Sequence, residues 1–162
     1  MLKLNLKQHD FDLPVFLKND TIASNHQTNI NTTVHSFYKP DSNQLKMLVR
    51  DYSSIWAHLN YLYSTGDVQK GKEYYTQDWF NVICNEYKLP LQTNVTRVDV
   101  AHKLHVVNWS FDGLVCNVID SNVVIKTFFK HTLIDSSTSH FAVALLFQGD
   151  HWRIDAIKQI NN

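Results

Sequence analysis

The stretch Val98-Asp99-Val100-Ala101-His102-Lys103-Leu104-His105-Val106 decides the fold. Val98, Val100, Leu104 and Val106 fall on one side of a period-two pattern, and Asp99, Lys103 and His105 fall on the other. That alternation is the mark of a β-strand with one face in a core and one in water. His102 falls on the apolar side, a polar group turned inward. Downstream the chain reads as further strands, and upstream, back to about Pro40, it reads as helix. Helices first and strands after predict an α+β fold, with N-terminal helices packed into a strongly curved antiparallel sheet.

The period of two continues to the end of the sequence. Strands are predicted at Val95–Asn108, Leu114–Ile119, Val123–Thr132, His140–Phe147 and Trp152–Ile160. Asp112-Gly113, Asp120-Ser121-Asn122, Asp135 to Ser139 and Gly149-Asp150 read as the turns between them. Links this short make neighbouring strands antiparallel. Working backward, Leu45, Leu48, Tyr52, Ile55, Leu59 and Leu62 recur at helical spacing, widened by Val49, Trp56 and Tyr63. Asp41 and Gln44 form a capping box for this long helix, and Gly66 ends it. A short helix is expected over Val68–Tyr74, and a third is capped by Thr76, shows Phe80, Ile83, Cys84 and Tyr87 on its apolar face, and is stopped by Pro90.

Residues 1–40 read as an arm ahead of a single domain at 41–162. Leu2, Leu4 and Leu6 alternate with polar residues as in a short strand, Asp10 to Asn29 reads as loop or extended arm, and Ile30 to Phe37 suits another strand. With so few apolar residues the arm lies on the main domain or adds a strand to a neighbouring copy.

Lysine plus arginine equals aspartate plus glutamate at 15 each, so the formal net charge is zero. A balanced chain offers no basic face for nucleic acid or an anionic membrane, and little repulsion between copies. No apolar run approaches the roughly 20 residues of a membrane span, and Met1 to Lys7 is too polar for a signal peptide, so a cytoplasmic location is expected. Cys84 and Cys116 lack metal or redox spacing and read as free thiols.

The order of elements resembles the NTF2-like superfamily, including its ketosteroid isomerase and SnoaL-like cyclase branches. The resemblance runs from about Asp41 to Ile160. It is carried by the long helix ending in Gly66-Asp67, by Tyr74-Tyr75-Thr76-Gln77-Asp78-Trp79-Phe80 opening the third helix, and by the meander closing on His151-Trp152-Arg153-Ile154. It implies a cone in which a bent sheet wraps a helix and leaves a pocket at the wide end, and a homodimer through the sheet. Members include isomerases, dehydratases, cyclases and catalytically silent binding domains.

Within such a cone His102 is either a general base or a core histidine satisfied by its neighbours. Tyr52 and Tyr63 are the candidate proton donors. Trp56, Trp79, Phe80, Val100, Leu104, Phe129 and His131 are expected to line the pocket, where aromatic walls suit a flat hydrophobic ligand or a plain core. Asp99 is assigned to the polar face, Asp120 to a turn, Asp155 to a surface ion pair or dimer contact with Arg153, and Asp78 to the start of a helix. That leaves no inward carboxylate for isomerase chemistry. His102, His131 and His140 lack the local spacing of a metal site, and no cofactor is called for. The expected function is a non-catalytic domain binding a small apolar ligand or a protein partner as a homodimer. The alternative is a SnoaL-like or dehydratase-like isomerase, cyclase or lyase of a hydrophobic carbonyl compound, with His102 as base. A subunit of a secretion or transport assembly ranks behind both.

Overall fold

The computed structural model describes residues 28–86 and 94–161, with the backbone of Lys3–Lys7. The Asp10 to Asn29 arm, Tyr87 and the Pro90 stop fall wholly or mostly outside the described residues. The chain runs β1 (Lys3–Lys7), β2 (Asn29–Val34), α1 (Ser42–Thr65), a 3-10 helix (Gln69–Tyr74), α2 (Gln77–Glu86), β3 (Val95–Trp109), β4 (Val115–Phe129), β5 (Thr132–Gln148) and β6 (His151–Ile160). The six strands form one sheet in sequence order. All neighbours are antiparallel except β2 and β3, which run parallel with Ile30 opposite His102 and Val34 opposite Val106. β1 pairs with the chain's own β2, so the arm's first strand extends its own sheet.

Local chemistry sets the helix boundaries. Asp41 accepts from the backbone of Gln44 while the Gln44 side chain accepts from the Asp41 N–H, closing the predicted capping box. Gly66 ends α1 at φ 69°, a left-handed position that a Cβ disfavours. The short second helix winds as 3-10 rather than α, and Thr76 Oγ1 accepts from Trp79 N at 3.4 Å at the head of α2.

The strand boundaries differ from expectation in two places, one at a bulge and one at a displaced reversal. Asp120-Ser121-Asn122 is not a turn: β4 runs unbroken from Val115 to Phe129, and the register slips between Asp120 and Val123 around Asn122 at φ 53°. Asp135 to Ser139 is likewise strand, and the chain reverses instead at Lys130-His131, with Lys130 at φ 56°. Five predicted strands are therefore four long ones, and the slips bend the sheet. β3 carries three more, between Asp99 and Ala101, Ala101 and Lys103, and Val106 and Asn108.

α1 lies in the hollow of this curved sheet, packed across β3 and β6. Leu45, Leu48, Val49, Tyr52, Ile55, Trp56 and Leu62 meet Leu104, Val106, Val118, Val143, Leu145 and Ile154 in one core. Asp51 is drawn in too: its Oδ2 accepts from the Trp152 backbone N–H at 2.9 Å, tying helix to sheet. Burial raises the pKa of Asp51 against the opposing hydrogen bonds from Arg50 and Trp152. No helix among the described residues is long and apolar enough to cross a membrane.

Candidate functional site

Two features adjoin behind and in front of Trp56: a buried ion cluster and an open cleft. The cluster is centred on His102, which is 1% exposed. Its Nδ1 lies 2.6 Å from Asp120 Oδ2 and its Nε2 lies 2.7 Å from Asp99 Oδ2. The Tyr52 hydroxyl donates to the same Asp120 oxygen at 2.6 Å, and the Asn60 amide donates to Asp99 Oδ1 at 2.8 Å. Thr28 ties in β2 by donating to the Asp99 carbonyl at 2.6 Å.

Desolvation is the largest influence on His102 and would lower its pKa. The charge and hydrogen bond of Asp120, joined by those of Asp99, outweigh it and raise the pKa to about 10. His102 is thus an imidazolium at neutral pH, with both N–H groups spent on carboxylates. Neither nitrogen keeps a lone pair for a substrate. Burial, then the Asp120 charge, push the Tyr52 phenol well above its usual range. His58 is a contrasting case. Burial lowers its pKa, Nε2–H donates to the Asp67 carbonyl at 3.1 Å, and Nδ1 accepts from Tyr75 OH at 2.6 Å. At His58 burial outweighs the hydrogen bond and charge of Asp67, whereas at His102 two carboxylates in hydrogen-bond contact outweigh burial.

The cleft encloses about 400 Å³. Trp56, Leu59 and Tyr63 from α1 form one wall, and Ile125, Phe141 and Ile157 from the sheet form the other. Arg97, Thr127, Asp135, Ser137, Ser139 and Gln159 add the polar groups. The Trp56 ring stands edge-on between Phe141, at 5.2 Å between centroids, and His102, at 5.0 Å. It separates cleft from cluster, yet a polar thread joins them: Arg97 Nε donates to Asn60 Oδ1 at 3.1 Å, and Asn60 donates to Asp99.

Of the expected lining residues, Trp56 lines the cleft, as does Tyr63 from the proton-donor pair. Tyr52 and His102 lie behind it in the cluster. Leu104 and Phe80 are core, Val100 and Trp79 are half-buried, and Phe129 and His131 are exposed where β4 turns into β5. His140 accepts from the Asn122 backbone N–H on the sheet. Asp155 accepts from Thr76 Oγ1 at 2.9 Å. Among the described residues no group of three or more His, Cys, Asp or Glu side chains is arranged around a common metal position. In the ion cluster the two carboxylates sit on opposite sides of one ring.

The inward carboxylates Asp99 and Asp120 escaped the sequence reading, correcting their assignment to a polar face and a turn. They are 5% and 0% exposed. The bulge after Asp99 breaks the alternation that had turned it outward. For Asp120 the available signal was Val118-Ile119 before and Val123-Val124-Ile125 after, without glycine or proline between.

No protein-family model and no curated protein matches the chain. Among solved structures, the crystal structure of the intermembrane space region of the chloroplast protein ARC6 is similar at a TM-score of 0.52 and 10% identity. The match covers 77% of this chain and 100% of that one, and at that identity it speaks to the fold alone.

Proposed function

We propose that this chain is a non-catalytic cone domain of NTF2-like type that holds a small, largely apolar ligand in the cleft over Trp56. The observation that carries the reading is the separation of the cleft from the acid–base cluster. The cavity offers aromatic and aliphatic walls with a few polar groups, the usual make-up of a small-molecule site. The base a dehydratase-like reaction would need, His102, is held between two carboxylates behind the Trp56 ring, with Tyr52 bound to one of them. The same reading includes a homodimer through the outer face of the sheet. There Ile119, Ala142, Ala144 and Leu146 are only half-buried, no described helix covers them, and zero net charge leaves little repulsion between copies.

Native mass spectrometry of freshly purified protein tests both parts, with Ser137→Trp as a variant that fills the cleft from an exposed strand position. The expected spectrum is a dimer carrying an extra small mass that the variant lacks. A clean monomer, which moreover fails to enhance the fluorescence of added 1-anilinonaphthalene-8-sulfonate, would end the proposal.

A further inference from the structure

We infer that His35 and His105 form half of a zinc site, which a second copy of this chain completes across a two-fold axis on the outer face of the sheet. The inference rests on the dimer reading above and adds to it a bridging ion and the position of the axis.

Sheet register brings the two rings together. Leu104 and Val106 turn into the core, so His105 between them points outward from β3. β2 runs parallel beside it with Thr33 opposite His105. The pairing continues one residue past the strand, where the His35 N–H donates to the Val106 carbonyl at 2.8 Å. His35 therefore lies diagonally across from His105. Its Nε2 is 3.4 Å from His105 Nδ1, and the ring centroids are 5.5 Å apart.

That separation is long for a hydrogen bond from N–H, whose usual length is about 2.9–3.0 Å. It matches the span between two zinc ligands. Bonds of about 2.0–2.1 Å at the tetrahedral angle put neighbouring nitrogens about 3.3–3.4 Å apart, whereas a square-planar ion draws them to about 2.9 Å. A pair of imidazoles also suits zinc better than magnesium or calcium, which take oxygen. His105 is oriented as a ligand needs to be. Ser121 Oγ donates to the Lys103 carbonyl at 3.5 Å, so it accepts from His105 Nε2–H at 3.0 Å and Nδ1 keeps its lone pair. His35 is exposed, so its proton can exchange through water from Nε2 to Nδ1 and free the facing lone pair.

A structural zinc takes four ligands, and one chain supplies two here. A two-fold axis through the ion brings the same two from a second copy, because such a contact joins identical patches. The surroundings suit that axis. Ile119 stands opposite His105, and Ala142 opposite Ile119, in one row about 5 and 10 Å away across the outer face. Val107 and Phe37, each two residues beyond one of the histidines, are 45% and 96% exposed. Closure around the ion covers apolar surface on both sides of it.

The test is zinc chloride added to chelator-treated protein, read by native mass spectrometry and sedimentation velocity. A dimer holding one zinc per two chains is expected. Cobalt(II) in place of zinc should give the strong visible absorption of a tetrahedral site, saturating at about half an equivalent per chain. Magnesium should not bind. His35→Ala and His105→Gln should each lose the zinc, while Ser137→Trp, which fills the cleft on the other face, should keep it. Zinc binding that survives His35→Ala, or one zinc on each monomer, overturns the inference. A dimer that takes up no zinc also overturns it and leaves the dimer reading standing. A chain that stays monomeric with and without zinc removes both. Should His105→Gln unfold, the stoichiometry of wild type and the loss in His35→Ala, at an exposed position, still decide.

Discussion

Replacing His102 by glutamine tests the ion cluster most directly. The substitution removes the cation between two carboxylates that are 5% and 0% exposed and leaves them facing each other in the core. Breaking a buried ion pair from one side costs roughly 3–5 kcal/mol. Linkage gives an independent figure. A rise from 6.5 to about 10 makes the folded-state proton worth on the order of 5 kcal/mol, at 1.4 kcal/mol per unit. Because the folded pKa is the higher one, this stability is fully present below pH 6.5 and is lost as pH rises through about 10. Cys116 adds a loss of the same sign, since burial raises its thiol from 9.0, and Tyr52 does so from 10.0, but both act only at or above those values. The window between pH 7 and 9 therefore belongs to His102 among the shifted groups. Urea unfolding followed by tryptophan fluorescence should show the wild-type midpoint falling across that window, and His102→Gln both weaker and flat there. A wild-type midpoint that does not move between pH 7 and 9, or a His102→Gln cost under about 1 kcal/mol, would refute the buried imidazolium. The pH series on wild type alone suffices if the variant does not fold.

Three further outcomes are expected. Gly71→Ala should destabilise by about 1–3 kcal/mol in urea titration, because a Cβ there overlaps the buried His58 ring; a neutral or stabilising result would mean that the helix turn shifts freely. Asp51→Ala orphans the Trp152 backbone N–H and should cost about 1–3 kcal/mol, with amide exchange at Trp152 accelerated; unchanged exchange would count against the bond. Under native conditions a thiol reagent should label half-buried Cys84 and spare Cys116 until unfolding, since burial both covers the Cys116 thiol and raises its pKa; equal rates would contradict that packing.

The helix boundaries were legible because their causes are local. Asp41 with Gln44, Gly66 and Thr76 each act within one turn of chain, and each sits where the sequence placed it. The faces of the strands were less so. Alternation assigns a side chain inward or outward only until the first bulge, and β3 slips right after Asp99. Asp120, Ser121 and Asn122 are all turn formers, so a bulge inside one long strand and a turn between two short ones read alike. His102 was legible as an inward polar residue, but its charge was not. That charge depends on Asp120, 18 positions away, and on carboxylates turned inward by slips that no pattern in one strand reveals. The cleft shares this limit, since it draws residues from α1 and four strands, and only packing brings them together.

The parallel pairing of β2 with β3 bears on the order in which the molecule assembles. β3 to β6 form a meander whose neighbours are joined by tight reversals, so their contacts close short loops and form early. β2 reaches β3 only after the whole of α1, the 3-10 helix and α2 has been bridged, so Ile30 finds His102 across a long loop. Tyr52 and Asn60 reach the cluster only when α1 docks. Until then Asp99, His102 and Asp120 stay hydrated on an open sheet. Loop length thus predicts that the drying of these charges comes last, and refolding followed by tryptophan fluorescence should slow as His102 loses its proton.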